Sequence, residues 1–370
     1  MISSSYYSSF YIFLVTLMTF VTLSHYGSYR TKRLSLKRVK SIDISILICI
    51  FFILFIGLRD PYGIEFGDSQ SYTYVYTDYI GHPFMWDWGT KNFLYDNLFF
   101  LFSSKAIQIE LFYLFISLIY FGGICFCCKT LFPKDSASTF LVYLAGFSTY
   151  SYSINGIKAG AAASLFLIAI ALREKKKYLL TGVFLFLSLG FHHAMLMPIV
   201  AFVLCSFFKN PKFYLGFWIV CFFIAVLHIT YFQNLFLSIG SDIDDKVIDY
   251  LGEDLSTYNF SRLKSGFRLD FIIYSFIPVL IGWFAIFKKK IKSEQYAFLL
   301  NTYAFINAIW LLCMYAMFTN RIAYLSWLMY PVVLIYPLLK EEWGKGQYKI
   351  YRWLAYGQLA FLLFMHFIYY

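Results

Sequence analysis

Four basic residues stand out because they occur where a membrane-bound chain has least reason to keep them. Arg59 closes an apolar run, Lys158 opens a short one after Tyr150-Ser151-Tyr152-Ser153-Ile154-Asn155-Gly156, Arg268 precedes another at Asp270, and Arg321 lies between two in Thr319-Asn320-Arg321. Convergent cations at one membrane interface suit an anionic headgroup, and the planar fork of arginine can bond two oxygens of a pyrophosphate at once. Each could equally snorkel to phospholipid or pair with a neighbour, Arg59 with Asp60 and Arg268 with Asp270. His192 and His193, in Gly190-Phe191-His192-His193-Ala194-Met195, offer an imidazole that could take a proton from a hydroxyl near pH 7. A hydrogen-bonded interface histidine is the plainer alternative, since polar groups also glue helices together. Asp68, in Phe66-Gly67-Asp68-Ser69-Gln70-Ser71-Tyr72, is the second candidate acid or base. The tyrosines after it, Tyr72, Tyr74, Tyr76 and Tyr79, could stack on sugar rings or form an interfacial belt.

The elements that must position these groups follow from composition. Of 370 residues, 60% are hydrophobic, 23% aromatic and only 14% charged, against roughly a quarter charged in a soluble domain. The expectation is an all-α polytopic membrane protein folded as one transmembrane domain over 1–370. Apolar runs near 10–26, 42–58, 106–128, 137–153, 158–172, 178–192, 194–208, 213–231, 271–287, 296–318, 322–339 and 353–369 give about twelve spans, with a range of about 10–13. Several fall short of the roughly 20 residues of a straight span, as broken or re-entrant helices lining a cavity would. The start, MISSSYYSSF, lacks the basic region of a cleavable signal peptide, so the first span is expected to stay. Gly156, Gly160, Ala161, Ala162 and Ala163 form a small-residue face suited to close helix packing.

Short connections carry 22 of the 31 basic residues, chiefly around Arg30–Lys40, Arg173–Lys177 and Lys288–Lys292, which the positive-inside rule assigns to the cytoplasm. The net charge of +11 is then a topology signal, and nucleic-acid binding is excluded because the basic runs are split among short loops. Two longer connections, 59–105 and 232–270, fall on the opposite, acidic face. Long connections are more often functional than idle, and the second would form a lid or groove. The seven cysteines fall in or beside apolar runs, as small buried hydrophobes do, and Cys125, Cys127 and Cys128 lack the second ligand pair of a zinc site.

Taken in order, several of these residues carry a resemblance. Arg59 followed by Gly67, Asp68 and Tyr72, then Asn155-x-Ile157-Lys158-x-Gly160, then Phe191-His192 with Pro198 downstream, and finally Asn320-Arg321-x-x-Tyr324, resemble the EpsG branch of the Wzy-type oligosaccharide repeat-unit polymerases. The likeness runs from about residue 45 to 340. One departure is Lys158, where the family pattern has arginine: the charge is kept and the bidentate fork lost.

The resemblance implies a GT-C-like bundle with two longer periplasmic loops, in a bacterial inner (plasma) membrane. It implies a glycosyltransferase that makes O-antigen, capsule or exopolysaccharide; no cofactor is expected, and because Asp242-Ile243-Asp244-Asp245 is only a superficial D-x-D match on the outer connections, the expected catalysis is metal-independent. The growing glycan would leave undecaprenyl pyrophosphate for the non-reducing end of the next lipid-linked repeat unit at the periplasmic face. His192, then Asp68, would be the base; Arg59, Lys158, Arg268 and Arg321 would hold pyrophosphate. Tyr72, Tyr76, Asn155, His193, Asp270 and Tyr324 would line the sugars. Partners would be the lipid-linked oligosaccharide, membrane lipids and a chain-length regulator. Competing classes are a flippase, which should show repeat symmetry and cations through the depth of a cavity, and an O-antigen ligase or membrane acyltransferase. The ligase would share the pyrophosphate site, and the acyltransferase would place a histidine in an early polar motif. The early histidine here, His25, lies beside a basic loop.

Overall fold

The computed structural model describes residues 3–24, 43–229, 231, 266–316 and 319–369. Most of the expected second long connection, 232–265, lies outside these residues, as do Asp242 and His25. The described chain is helical throughout, and by contact it divides into two compact units.

The first unit holds residues up to Leu196 together with Leu338–Lys340 and Gly344–Tyr369. Its helices are α1 (Ser4–Ser24), α2 (Ile44–Gly57), α3 (Asp68–Asp78), α4 (Phe93–Ser104), α5 (Ile109–Leu131), α6 (Ser136–Leu144), α7 (Thr149–Ile154), α8 (Ile157–Glu174) and α9 (Tyr178–Phe191). A last helix, α16 (Gln347–Phe364), belongs to the same unit. The second unit contributes α10 (Leu196–Phe207), α11 (Pro211–Val226), α12 (Leu269–Trp283), α13 (Glu294–Leu312), α14 (Thr319–Trp327) and α15 (Tyr330–Lys340).

Why these segments are helices is plain from α2, ISILICIFFILFIG, which is apolar around its whole circumference. A helix with no polar face is either core or lipid-facing. Here it is both: Phe52 and Ile56 are buried, whereas Leu47, Ile50 and Leu54 are exposed. Its start is fixed by Asp43, which accepts from Ser45 N at 3.0 Å and lies 3.2 Å from Lys129 Nζ. Burial alone would raise the Asp43 carboxyl, but the hydrogen bonds from Ser45 and Lys129 hold it below its ordinary value.

Within the first unit α5 packs against α2 and α8, and α8 against α9. The expected small-residue face forms the contact: Ala161, Ala162 and Ala163 are buried. A Cβ on Gly160 would sit 2.5 Å from the Tyr152 carbonyl oxygen, so only glycine fits there. All seven cysteines are buried and stay as thiols, as expected of small hydrophobes. In the second unit polar side chains act as glue between apolar helices. Asn307 of α13 accepts from Trp218 Nε1 at 2.8 Å and donates to Ser326 Oγ at 3.0 Å, while Trp327 Nε1 donates to Ser275 Oγ at 2.7 Å.

The α-helical membrane class stands, and long helices account for part of the expected twelve spans. Among the described residues, four segments are long and apolar enough to cross a bilayer: Ser4–Ser24, Ile109–Leu131, Leu269–Lys288 and Thr319–Lys340. Ile44–Gly57, Tyr178–Phe191, His193–Phe207 and Pro211–Val226 are shorter. At 1.5 Å per residue the 14 residues of α2 reach about 21 Å, short of a core about 30 Å thick. Other runs are broken: 137–153, a single run in sequence, divides into α6 and α7. The region 59–105 is no open loop either, since it folds into a 3-10 turn at Ile64–Phe66 followed by α3 and α4.

Candidate functional site

In the first unit the polar residues gather at one end of the helices, where α2 stops, α3 starts and α7 passes into α8. Arg59, just beyond α2, is only 2% exposed. Its Nη1 donates to the Ile56 carbonyl at 2.9 Å, its Nη2 donates to Ser69 Oγ at 2.8 Å, and the guanidinium lies 4.2 Å from the centre of the Tyr113 ring. No carboxylate among the described residues pairs with it, Asp60 included, and its Nε–H has no partner there. Burial pulls its pKa below the ordinary value, although a guanidinium keeps its proton in any protein environment. Ser69 in turn donates to the Ile154 carbonyl, and Tyr113 OH donates to the Ser69 carbonyl at 2.6 Å. The Asp68 N–H donates to Asn155 Oδ1 at 2.8 Å. Arg59, Asp68 and Asn155, a hundred residues apart in sequence at their extremes, therefore form one junction.

Gly67 makes that junction possible. Its φ of +55° is open to glycine at little cost, and a Cβ there would lie 2.8 Å from Asn155 Oδ1. Gly67→Ala should therefore displace Asn155 from the start of α3. The expected result is a loss of about 1–3 kcal/mol in stability from the backbone conformation, read as a lowered thermal midpoint of the protein in nanodiscs. A midpoint equal to wild type would show that the Gly67–Asn155 contact is not needed.

The second part of the cluster is centred on α4. Lys158 Nζ lies 2.8 Å from Asp96 Oδ1, with their side chains 22% and 20% exposed. The same ammonium lies 5.3 Å from the Tyr72 ring centre and 4.8 Å from that of Tyr95, within the range of cation–π attraction. Tyr95 also touches Phe191, with ring centres 6.3 Å apart. Asn92, which precedes α4, accepts from the His193 N–H at 3.0 Å. The first turn of α4 thus ties Lys158, Tyr72 and the His192–His193 pair to one another. The Tyr95 hydroxyl is buried without a partner among the described residues.

His192 ends α9 and caps the 3-10 turn His193–Met195. Its Nδ1 accepts from the Ala194 N–H at 3.1 Å. A neutral imidazole with Nδ1 engaged as acceptor carries its proton on Nε2. In that tautomer Nε2 is a donor.

Other expected site residues are placed differently. Tyr72 is half-buried, whereas Tyr76 is fully buried, its hydroxyl donating to the Ile107 carbonyl at 2.8 Å and its ring packed on Phe99. In the second unit Arg268 makes a two-point pair with Asp270, Nε to Oδ1 at 3.0 Å and Nη2 to Oδ2 at 2.6 Å, over the Phe271 ring at 3.6 Å. Arg321 is exposed on α14, and Tyr324 on the same helix is 7% exposed with its ring against Trp327. Of the four cations, Arg59 and Lys158 belong to the first unit, and Arg268 and Arg321 to the second. Among the described residues no three His, Cys, Asp or Glu side chains form a metal-ligand group.

The sequence alone does not single out Asp96, Tyr95 or Asn92, because 92–105 reads as the edge of a connection. One signal was there: a carboxylate inside the apolar run Phe93-Leu94-Tyr95-Asp96-Asn97-Leu98 is expensive in a membrane protein and marks a site by default.

No curated protein and no solved structure matches the chain. The model of the EpsG family matches residues 44–370, which takes in every candidate residue from Arg59 to Tyr324 in the order described. With that coverage, the chain belongs to the EpsG family.

Proposed function

We propose that this membrane protein is a metal-independent, cofactor-free GT-C-type glycosyltransferase. In this reading it moves a growing glycan from undecaprenyl pyrophosphate to the non-reducing end of a lipid-linked repeat unit. Family membership supports the broad class, a polysaccharide polymerase acting on lipid-linked oligosaccharides. The finer reading rests on one observation: the Asp68 and His193 backbones and the Lys158 side chain are held in one polar cluster at the end of apolar helices. A lipid-linked sugar needs such a place, with its tail beside an apolar face and its charged head beside fixed polar groups.

In this reading the bond between the anomeric carbon and the pyrophosphate oxygen breaks, and the pyrophosphate leaves with the electron pair. Within the first unit Lys158 offers positive charge to the departing group. Arg59 is too buried to touch it and acts by holding Ser69 and the start of α3. His192 donates from Nε2, Asp68 accepts from a sugar hydroxyl, and Tyr72, Asn155 and His193 supply sugar contacts, with Tyr76 supporting Tyr72 from within the packing. In the second unit, taken by itself, Arg268 and Arg321 carry the pyrophosphate-binding role and Asp270 and Tyr324 the sugar-binding role that their places in the sequence suggest. The whole chain acts as one membrane domain in the inner membrane, with the cluster facing the periplasm. Its product is an O-antigen, capsule or exopolysaccharide, and a chain-length regulator is its expected partner.

The test is a gel of surface polysaccharide from a strain lacking the gene, with and without the wild-type copy restored. The expected result is collapse of the ladder to a single repeat unit in the null and recovery on complementation. Long chains persisting in the null would overturn the reading.

A further inference from the structure

We infer that Asp96 accepts the proton of the attacking sugar hydroxyl, with Lys158 as its positioning cation; this rests on the polymerase reading above and assigns that reaction its base. Asp96 lies in α4, where it is the one charged residue among mainly apolar ones. A carboxylate in such a helix is costly unless paired, and it is paired: Lys158 Nζ sits 2.8 Å from Oδ1. The ammonium is itself fixed between the Tyr72 and Tyr95 rings. The second oxygen, Oδ2, bonds to no described residue, and the side chain keeps 20% of its surface open. One oxygen is therefore anchored and the other is available, as a directed proton acceptor requires.

The alternatives at this end of the unit are less suited. His192 has its Nδ1 lone pair taken by the Ala194 N–H and presents a donor. Asp68 opens α3, with its backbone N–H held by Asn155 Oδ1 at 2.8 Å. What sets Asp96 apart is the ion pair that fixes one carboxylate oxygen and leaves the other to the acceptor.

The step balances as follows. The acceptor hydroxyl gives its proton to Asp96 Oδ2 as its oxygen bonds the anomeric carbon. The anomeric carbon–oxygen bond to pyrophosphate breaks, the leaving group takes that electron pair, and Asp96 later returns the proton to water.

The experiment uses the full-length protein in nanodiscs, with lipid-linked repeat units extracted from the null strain as substrate. Asp96→Asn keeps an oxygen for Lys158 and so preserves the local fold. It should lower kcat by ~10²–10⁴-fold, the usual contribution of general base catalysis, with KM changed by less than about threefold. An acceptor unit whose attacking hydroxyl is replaced by a thiol ionises without help, so with it Asp96→Asn should come within about tenfold of the wild-type kcat on the same acceptor. If Asp96 only balances the charge of Lys158, the loss persists with the thiol acceptor, and the inference falls. It also falls if Asp96→Asn keeps wild-type kcat, or if Asp68→Asn alone shows the kcat loss. Failure of the wild-type protein to elongate the extracted units would overturn the polymerase reading itself, and this inference with it.

Discussion

Replacing Arg59 with methionine is expected to leave the protein folded and to reduce its polymer output about 100-fold, the size of loss that a 1 Å misplacement of a reacting group can cause. Arg59 is 2% exposed and no carboxylate among the described residues balances it. A buried charge of that kind is expensive, because desolvation is offset here only by two hydrogen bonds and the Tyr113 ring. Methionine fills much the same space without the charge, so the thermal midpoint in nanodiscs should stay within about 3 °C of wild type, the shift that roughly 1 kcal/mol produces in a chain of this size. What methionine cannot do is hold Ser69 Oγ. With that bond gone, the first turn of α3 and the Asp68 carboxylate lose a fixed neighbour. Arg59→Ala adds an unfilled space and should lower the midpoint as well. Wild-type output from Arg59→Met would show that the guanidinium is dispensable, and a collapsed midpoint would show that its role is structural.

His192 separates three roles by two substitutions. In His192→Asn the side-chain oxygen occupies the place of Nδ1 and can still accept from the Ala194 N–H, but no donor stands where Nε2 stood. In His192→Gln the amide N–H reaches toward the Nε2 position and the cap is lost. If Nε2–H is a donor to the departing pyrophosphate, Asn keeps the midpoint and loses ~10²–10³ in kcat, the size seen when one such donor is removed. Gln then keeps kcat within about tenfold of wild type while losing about 0.5–2 kcal/mol of stability with the cap. A histidine acting as base would make both variants equally inactive. One acting only as a cap would leave Asn fully active. The same extracted lipid-linked units serve as substrate, and kcat and thermal midpoint are read together.

Both predictions turn on contacts that the chain's order does not specify, which marks the boundary of what that order could show. The membrane class, the burial of the cysteines and the small-residue face at Gly160–Ala163 were all legible, because composition and local spacing decide them. The ordered motifs from Arg59 to Tyr324 also carried the family, since order is a property of sequence. The Arg268–Asp270 pair could be anticipated as well, because the two are neighbours at the start of α12.

What only the tertiary structure decided is which charge meets which. Lys158 could have turned to phospholipid; the packing of α8 beside α4 gives it Asp96 and two tyrosine rings instead. Arg59 could have paired with the adjacent Asp60, yet it turns inward to Ser69 and Tyr113. His192 has the same sequence context whether it is base or donor, and a single backbone N–H two residues on fixes its proton. That four of the expected spans are long helices among the described residues and others are short has a related cause. Hydropathy registers how apolar a run is, whereas a helix stops where its backbone finds a cap or a turn, as at Asp43 and at the break between α6 and α7. Sequence determined the solvent this chain folds in and the family it belongs to. Long-range packing determined the site, because a side chain's ionic partner, tautomer and exposure depend on neighbours that local spacing does not contain.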